Sequence, residues 1–423
     1  MRLLVLLLFL VLVAGTMVFA QESKPMEIHE LIQQALSQNP QILAARARYE
    51  AARARVAFFR NLPDPMLEYD YDKITPSVNM GDGKLTPMKT LSITQQIPFP
   101  TKLFLKRRAA AQEMDSFEQE YKETQQRIIK EVKEAYASMF VADRKLALTK
   151  DSFELANQMT KAAETRYSSG RGSQVDALRS GAEQDKVLVG QKQFEQDRVI
   201  AQSLLASLLN TTPQDIGNID MRIDPIGEEA SPEDILNRVK DHRPELRSFK
   251  AMLDKAKTDY SLSKQELLPD ITLGYKHEER DGNFSRGEWM GSVAFSIPLW
   301  FWGKQGPQIA EARAGLQAAQ ADYQAEENTV LFEARSAQAK VKAAEDIVRL
   351  YKDGILPRVE SAVATARVSY ESGTGEFSEY LGAFRAYRDF QMEYADQLAA
   401  WAVAKADLER VIGEDSQSER GIQ

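Results

Sequence analysis

The 423 residues are 43% hydrophobic and 27% charged, a balance that excludes a disordered chain and a helical membrane bundle. A formal net charge of −8 excludes an electrostatic nucleic-acid partner. The absence of cysteine excludes disulfides, thiolate metal sites and a lipid-modified cysteine.

Residues 1–20 read as an export signal. Arg2 precedes an unbroken apolar run, Leu3 to Val13, and Val18-Phe19-Ala20 places small residues at −3 and −1 before Gln21. The run is too short to span a bilayer, and no later segment approaches ~18 apolar residues. Any route into a membrane must therefore use β-strands.

The rest of the chain is a duplication. Asn39-Pro40-Gln41-Ile42 matches Arg243-Pro244-Glu245-Leu246, and Leu62-Pro63-Asp64 with Tyr69 matches Leu268-Pro269-Asp270 with Tyr275. Ile97-Pro98-Phe99 matches Ile297-Pro298-Leu299, each followed closely by a lysine. Tyr167 to Gly172 matches Tyr370 to Gly375. The offsets lie between 200 and 206 and keep one order, which assigns a first repeat to 21–209 and a second to 231–413. Residues 210–230, with Pro213 and Pro225, form a linker, and 414–423 form a tail.

Each repeat is expected to run helix, strand, strand, long helix, turn, long helix. Glu27 to Arg60 is helix-like, rich in Ala, Arg and Glu. Residues 66–72 alternate, with Leu67, Tyr69 and Tyr71 opposed to Glu68, Asp70 and Asp72. Residues 91–97 alternate in the same way. In the second repeat Ile271, Leu273 and Tyr275 oppose Thr272, Gly274 and Lys276, and Val293, Phe295 and Ile297 oppose Ser292, Ala294 and Ser296. Period 2 with one polar face predicts a sheet wet on one side.

The period then changes. From Ile128 through Val132, Ala135, Met139 and Ala142 to Tyr167, residues step by four and three; Val330 to Ile355 does the same. A sustained ladder of this kind is a coiled-coil seam, and Lys102 to Ser168 would form a rod near 100 Å long. Pro357, after Gly354, is expected to interrupt the second copy.

Four short strands cannot close a membrane barrel, whose smallest forms have about eight. Open edges in lipid leave backbone groups unsatisfied. Three copies would supply twelve strands and give the rods a ring to pack in. The fold expected is thus mostly α with a membrane β-barrel: a trimeric 12-stranded barrel on an α-helical coiled-coil tunnel. Glu68, Asp70 and Asp72 would face an aqueous lumen and favour cations. Phe99, Trp300, Phe301 and Trp302, just past the returning strands, fit an interfacial girdle against outer-membrane lipid.

On these residues the chain resembles the TolC-like outer membrane efflux proteins, over about Glu27 to Gly413. The most specific marks are the tip segments, Arg166 to Gly170 through Asp176-Ala177-Leu178 and Ser369 to Gly373 through Glu379-Tyr380-Leu381. The resemblance implies a homotrimer in the bacterial outer membrane, with its tunnel in the periplasm. It implies coupling to a periplasmic adaptor and an inner-membrane transporter of the resistance-nodulation-division type. It places Glu379 in an acidic ring at the periplasmic aperture and Asp176 at the equivalent point of the first repeat. Gly382 stands where some relatives have a second acid. The turns at Gly170, Gly172, Gly373 and Gly375 would touch the adaptor, and their glycines would supply the positive φ of a tight helix-to-helix turn. Leu62 to Pro65 and Gln95 to Pro100 look like the heavy-metal efflux branch, although relatives often carry glycine where Thr101 stands. Met66, Met80 and Met88 offer soft sulfur to copper or silver, against ordinary methionine usage.

His29, His242 and His277 lack any paired metal spacing, and no P-loop or nucleophile elbow occurs. No enzyme activity, metal centre or cofactor is expected. Three alternatives stay open: a channel for type I protein secretion, a channel for drug efflux, and a periplasmic coiled-coil adaptor or scaffold.

Overall fold

A computed structural model describes residues 27–74, 86–216, 231–279 and 287–413. The export signal, Met80, linker residues 217–230 and the tail 414–423 lie outside the described residues. No described helix is long and apolar enough to cross a membrane.

The first repeat begins with α1 (Ile28–Gln38) and α2 (Pro40–Phe58), not with one continuous helix. Pro40 has no N–H to donate into α1, and the Asn39 carboxamide accepts from Gln41 N at 2.8 Å to start α2 afresh. Strands β1 (Met66–Ile74) and β2 (Thr86–Ile97) follow, then α3 (Pro100–Ser168) and α4 (Gln174–Leu209). The second repeat gives α5 (Pro232–His242), α6 (Pro244–Gln265), β3 (Ile271–Glu279), β4 (Glu288–Phe295) and α7 (Gln305–Leu350). A π-helical turn, Tyr351–Ile355, separates α7 from α8 (Leu356–Ser372), and α9 (Phe377–Ile412) closes the chain's described part. The interruption expected at Pro357 takes this form: the ring cannot sit in a regular ladder, and one wider turn absorbs the mismatch. Strand β4 ends before Ile297, which falls in the turn ahead of Pro298.

The chain divides into two compact units. One comprises 27–36, 131–216 and 344–403; the other holds the remaining described residues. In the first unit Ala344 and Val348 of α7 pack on Leu398 and Trp401 of α9 with Phe140 of α3. In the second, Ile235 and Val239 of α5 pack on Val330, Ala334 and Ala337 of α7 and on Val411 and Ile412 of α9. The seam ladder is what gets buried: Ile128, Val132, Ala135, Met139, Ala142 and Ala156 are inaccessible, and so are Val330, Ala334 and Ala337. Its last step fails, since Tyr167 is exposed where α3 ends.

The second unit also holds a buried cation. Arg243, in the position that Asn39 occupies in the first repeat, turns its guanidinium inward to Glu245 (2.8 Å) and Glu333 (2.8 Å), with Arg410 3.4 Å from Glu333.

The four strands form one antiparallel sheet in the order β1-β2-β3-β4. The two hairpins are therefore joined through β2 and β3, and β1 and β4 are the sheet's edges among the described residues.

Candidate functional site

Two regions carry the residues singled out above, one in each unit. In the sheet, register sorts side chains into rows. Leu67, Ile93 and Tyr275 share one row, and Tyr69, Leu91, His277 and Trp289 the next on that face. Tyr275 stacks on Trp289 at 5.2 Å between ring centres, and His277 lies 4.0 Å from the same indole. Leu67, Tyr69, Tyr71, Leu273, Val293 and Phe295 are exposed in the single chain. So large an apolar face requires lipid or protein against it.

The opposite face is acidic. Glu68 aligns with Ser92, Lys276 and Met290; Asp70 aligns with Thr90, Glu278 and Glu288. Asp72 occupies the matching register position one step along β1. The strands thus bring Glu278 and Glu288 to the acids found from sequence. They also bring Lys276, whose ammonium lies 2.6 Å from Glu278. The period-2 pattern gave the faces; the strand order that juxtaposes these charges was not in it. Beyond the strands, Trp300, Phe301 and Trp302 are exposed and meet edge to face, whereas Phe99 is half-buried. Phe99 N donates to the Asp270 carboxylate at 3.0 Å, so that part of the chain is held at the base of β3. Met66 is exposed at the start of β1.

The other region is the pair of turns joining α3 to α4 and α8 to α9. Both use one device. Gly170 (φ +73°) and Gly373 (φ +84°) sit just past the helix end, in a conformation that side chains disfavour. Arg171 N then donates to Arg166 O and Thr374 N to Ser369 O, satisfying the last carbonyls. Gly172 and Gly375 do not take positive φ, contrary to expectation. They are needed for closeness instead: a Cβ would lie 2.9 Å from the Cβ of Arg166 or of Ser369. Ser173 caps α4 through its hydroxyl and Val175 N at 3.1 Å.

Under the turns, Tyr370, Phe377, Tyr380 and Phe384 are buried with Ala156, Met159, Ala163 and Val187. Arg166, at the end of α3, donates to Tyr370 O and lies 4.6 Å from the Tyr370 ring centre. The turns of the two repeats are thereby tied together. The acids that the repeat equates differ in setting. Glu379 is exposed in the first turn of α9, with no ion-pair partner among the described residues. Asp176 is half-buried; burial and then its carboxylate push the Tyr370 phenol up.

Sequence reasoning missed Glu183. Its carboxylate is only 1% exposed and accepts from Arg385 (2.8 and 2.6 Å) and Arg388 (2.7 Å). Burial pushes its pKa up, but hydrogen bonds from Arg385 and Arg388 and their charges hold it below the usual carboxylate range. A signal existed: Asp176, Ser180, Glu183 and Val187 step by four, three and four, which puts Glu183 on the packed seam of α4.

The chain is 22% identical over 285 residues to the cobalt-zinc-cadmium resistance protein CzcC of Cupriavidus metallidurans, covering 67% of each. It is 21% identical over 408 residues to the outer membrane protein TolC of Vibrio cholerae, covering 91% of this chain and 90% of that one. Its fold matches the outer-membrane channel OprN with a TM-score of 0.81 at 19% identity, over 92% of this chain and 90% of that chain. The sequence pattern of the outer membrane efflux protein family fits residues 31–211 and 235–414, in other words nearly all of the described chain. The chain belongs to that family, a family of outer-membrane channels and not of enzymes.

Proposed function

We propose that this efflux channel works as a homotrimer, each copy giving four strands to a 12-stranded barrel in the outer membrane. One observation carries the reading: a sheet with an apolar face, an acidic face and two edges free of partner strands among the described residues. Lipid suits the first face, an aqueous lumen the second, and further copies the edges. The helices then form the periplasmic tunnel. Glu68, Asp70 and Asp72 line the lumen and favour cations; Trp300, Phe301 and Trp302, with Phe99, lie at the membrane boundary. At the periplasmic tip, Glu379 and Asp176 line the aperture, and the turns at Gly170, Gly172, Gly373 and Gly375 meet a periplasmic adaptor. An inner-membrane transporter of the resistance-nodulation-division type supplies the driving force, in keeping with a sequence that carries no P-loop.

The substrate proposed is a heavy-metal cation. The acidic lumen and the likeness to CzcC, a cobalt-zinc-cadmium resistance protein, support it. Two measurements test these statements. The purified protein should run as a trimer in detergent and conduct cations in planar bilayers; a soluble monomer without conductance would leave only a periplasmic scaffold. A strain lacking the protein should lose metal tolerance. Unchanged metal tolerance with lost drug tolerance or lost protein secretion would assign the channel to those cargoes instead.

A further inference from the structure

The proposed closure by further copies leaves open which residues meet where β4 of one copy reaches β1 of the next. The internal duplication answers this. In the first hairpin Leu67 lies opposite Ile93, and in the second Leu273 lies opposite Val293. One shift of 206 residues carries β1 onto β3, and one of 200 carries β2 onto β4, matching the offsets of the repeat itself. The second hairpin is thus a register copy of the first.

The contact between β2 and β3 is the one place where the end of a first hairpin meets the start of a second. Gln95 lies opposite Leu273, and Ile93 opposite Tyr275. The same two shifts turn these pairs into Phe295 opposite Leu67 and Val293 opposite Tyr69 of the next copy. Two features support that register independently. It sets Glu288–Phe295 against 67–74 and leaves only Met66 of β1 unmatched, so the strands end together. It also keeps apolar residues against apolar ones, which a slip by one residue would reverse.

A slip by two would keep the faces, and here charge decides. At the base of the β2–β3 contact, the Lys102 ammonium, 3% exposed, lies 2.9 Å from the Asp270 carboxylate. The repeat carries Asp270 onto Asp64, and the helical ladder's offset of 202 carries Lys102 onto Lys304. Asp64 and Lys304 are both exposed, and neither has an ion-pair partner among the described residues. We infer that the β4 edge of one copy takes the β1 edge of the next with Phe295 opposite Leu67, and that Lys304 and Asp64 form the ion pair that holds this register.

Because the chain contains no cysteine, introduced thiols report contacts without background. Chains carrying both Leu67→Cys and Phe295→Cys, oxidised in isolated outer membranes, should give covalent oligomers that reduction dissolves. Tyr69→Cys with Phe295→Cys, the pair that a slip by two would align, should give far less. The reverse pattern overturns the register. Asp64→Lys and Lys304→Asp should each lower the heat-resistant oligomer about tenfold, and the double exchange should restore it. Singles that behave like the unaltered protein overturn the ion pair. If the unaltered protein leaves the membrane as a monomer, the channel reading itself falls, and that outcome is distinct from the other two.

Discussion

Glu183→Gln isolates a single charge at the tip. The substitution keeps the shape but leaves one acceptor oxygen and turns the other into an NH2, so either the two contacts from Arg385 or the one from Arg388 is lost, and what remains no longer joins opposite charges. Losing a charge-assisted contact is worth about 1–2 kcal/mol when both partners are buried. Arg385 is 49% exposed and can return to water, so its two contacts count for little. Arg388 is 13% exposed and keeps the exposed Asp389 and the Phe384 ring beside it. The net cost is about 1–2 kcal/mol, which should speed amide exchange in α4 and α9 around residues 180–187 and 381–388 by about tenfold. The pH dependence has a definite sign. Glu183 ionises more readily folded than unfolded, so its stabilisation is present above the unfolded carboxylate pKa and is lost as pH falls through the lower folded value. Protection in the unaltered protein should therefore approach that of the Gln variant only in acid. Equal protection of the two near neutral pH, or a gap undiminished in acid, would refute the argument. Glu195→Gln, on a carboxylate paired only at the surface of α4, should leave exchange unchanged.

Three further outcomes follow from the geometry. Gly373→Val forces a branched side chain into φ +84°, at a cost of about 2 kcal/mol, and should abolish pump assembly while the trimer persists; normal efflux in that variant would count against an adaptor at this turn. Lys102→Met leaves the Asp270 carboxylate with Phe99 N and the more distant charge of Lys106, and should cost about 2–3 kcal/mol, read as a lower denaturation midpoint, because one partner of a largely buried pair is lost. Glu68→Gln with Asp70→Asn should move the reversal potential in a salt gradient toward anions, and Lys276→Gln should move it the other way; no change in either would remove the sheet's acidic face from the lumen.

Much of this molecule could be read from residue order. The alternation of Leu67 to Asp72 predicted both faces of β1, and the ladder from Ile128 predicted the buried stripe of α3. The repeated Ser-Gly pairs located both tip turns, and Pro357 located the break after α7. These are local properties: side-chain direction along a strand or helix is fixed by backbone geometry, and glycine and proline act on their own dihedral angles. The break at Asn39-Pro40 was local as well; the helix-forming composition around it hid the signal.

What required the tertiary structure was every fact that joins distant residues. That β2 pairs with β3, so Lys276 and Glu278 meet the acids of β1, depends on contacts between segments nearly 200 residues apart. Glu183 belongs to the packed seam because two arginines from α9 arrive to neutralise it; alone, an acid in a helix is placed in water. Periodicity says which way a side chain points, whereas burial and charge pairing depend on what stands opposite, and only the folded chain supplies that.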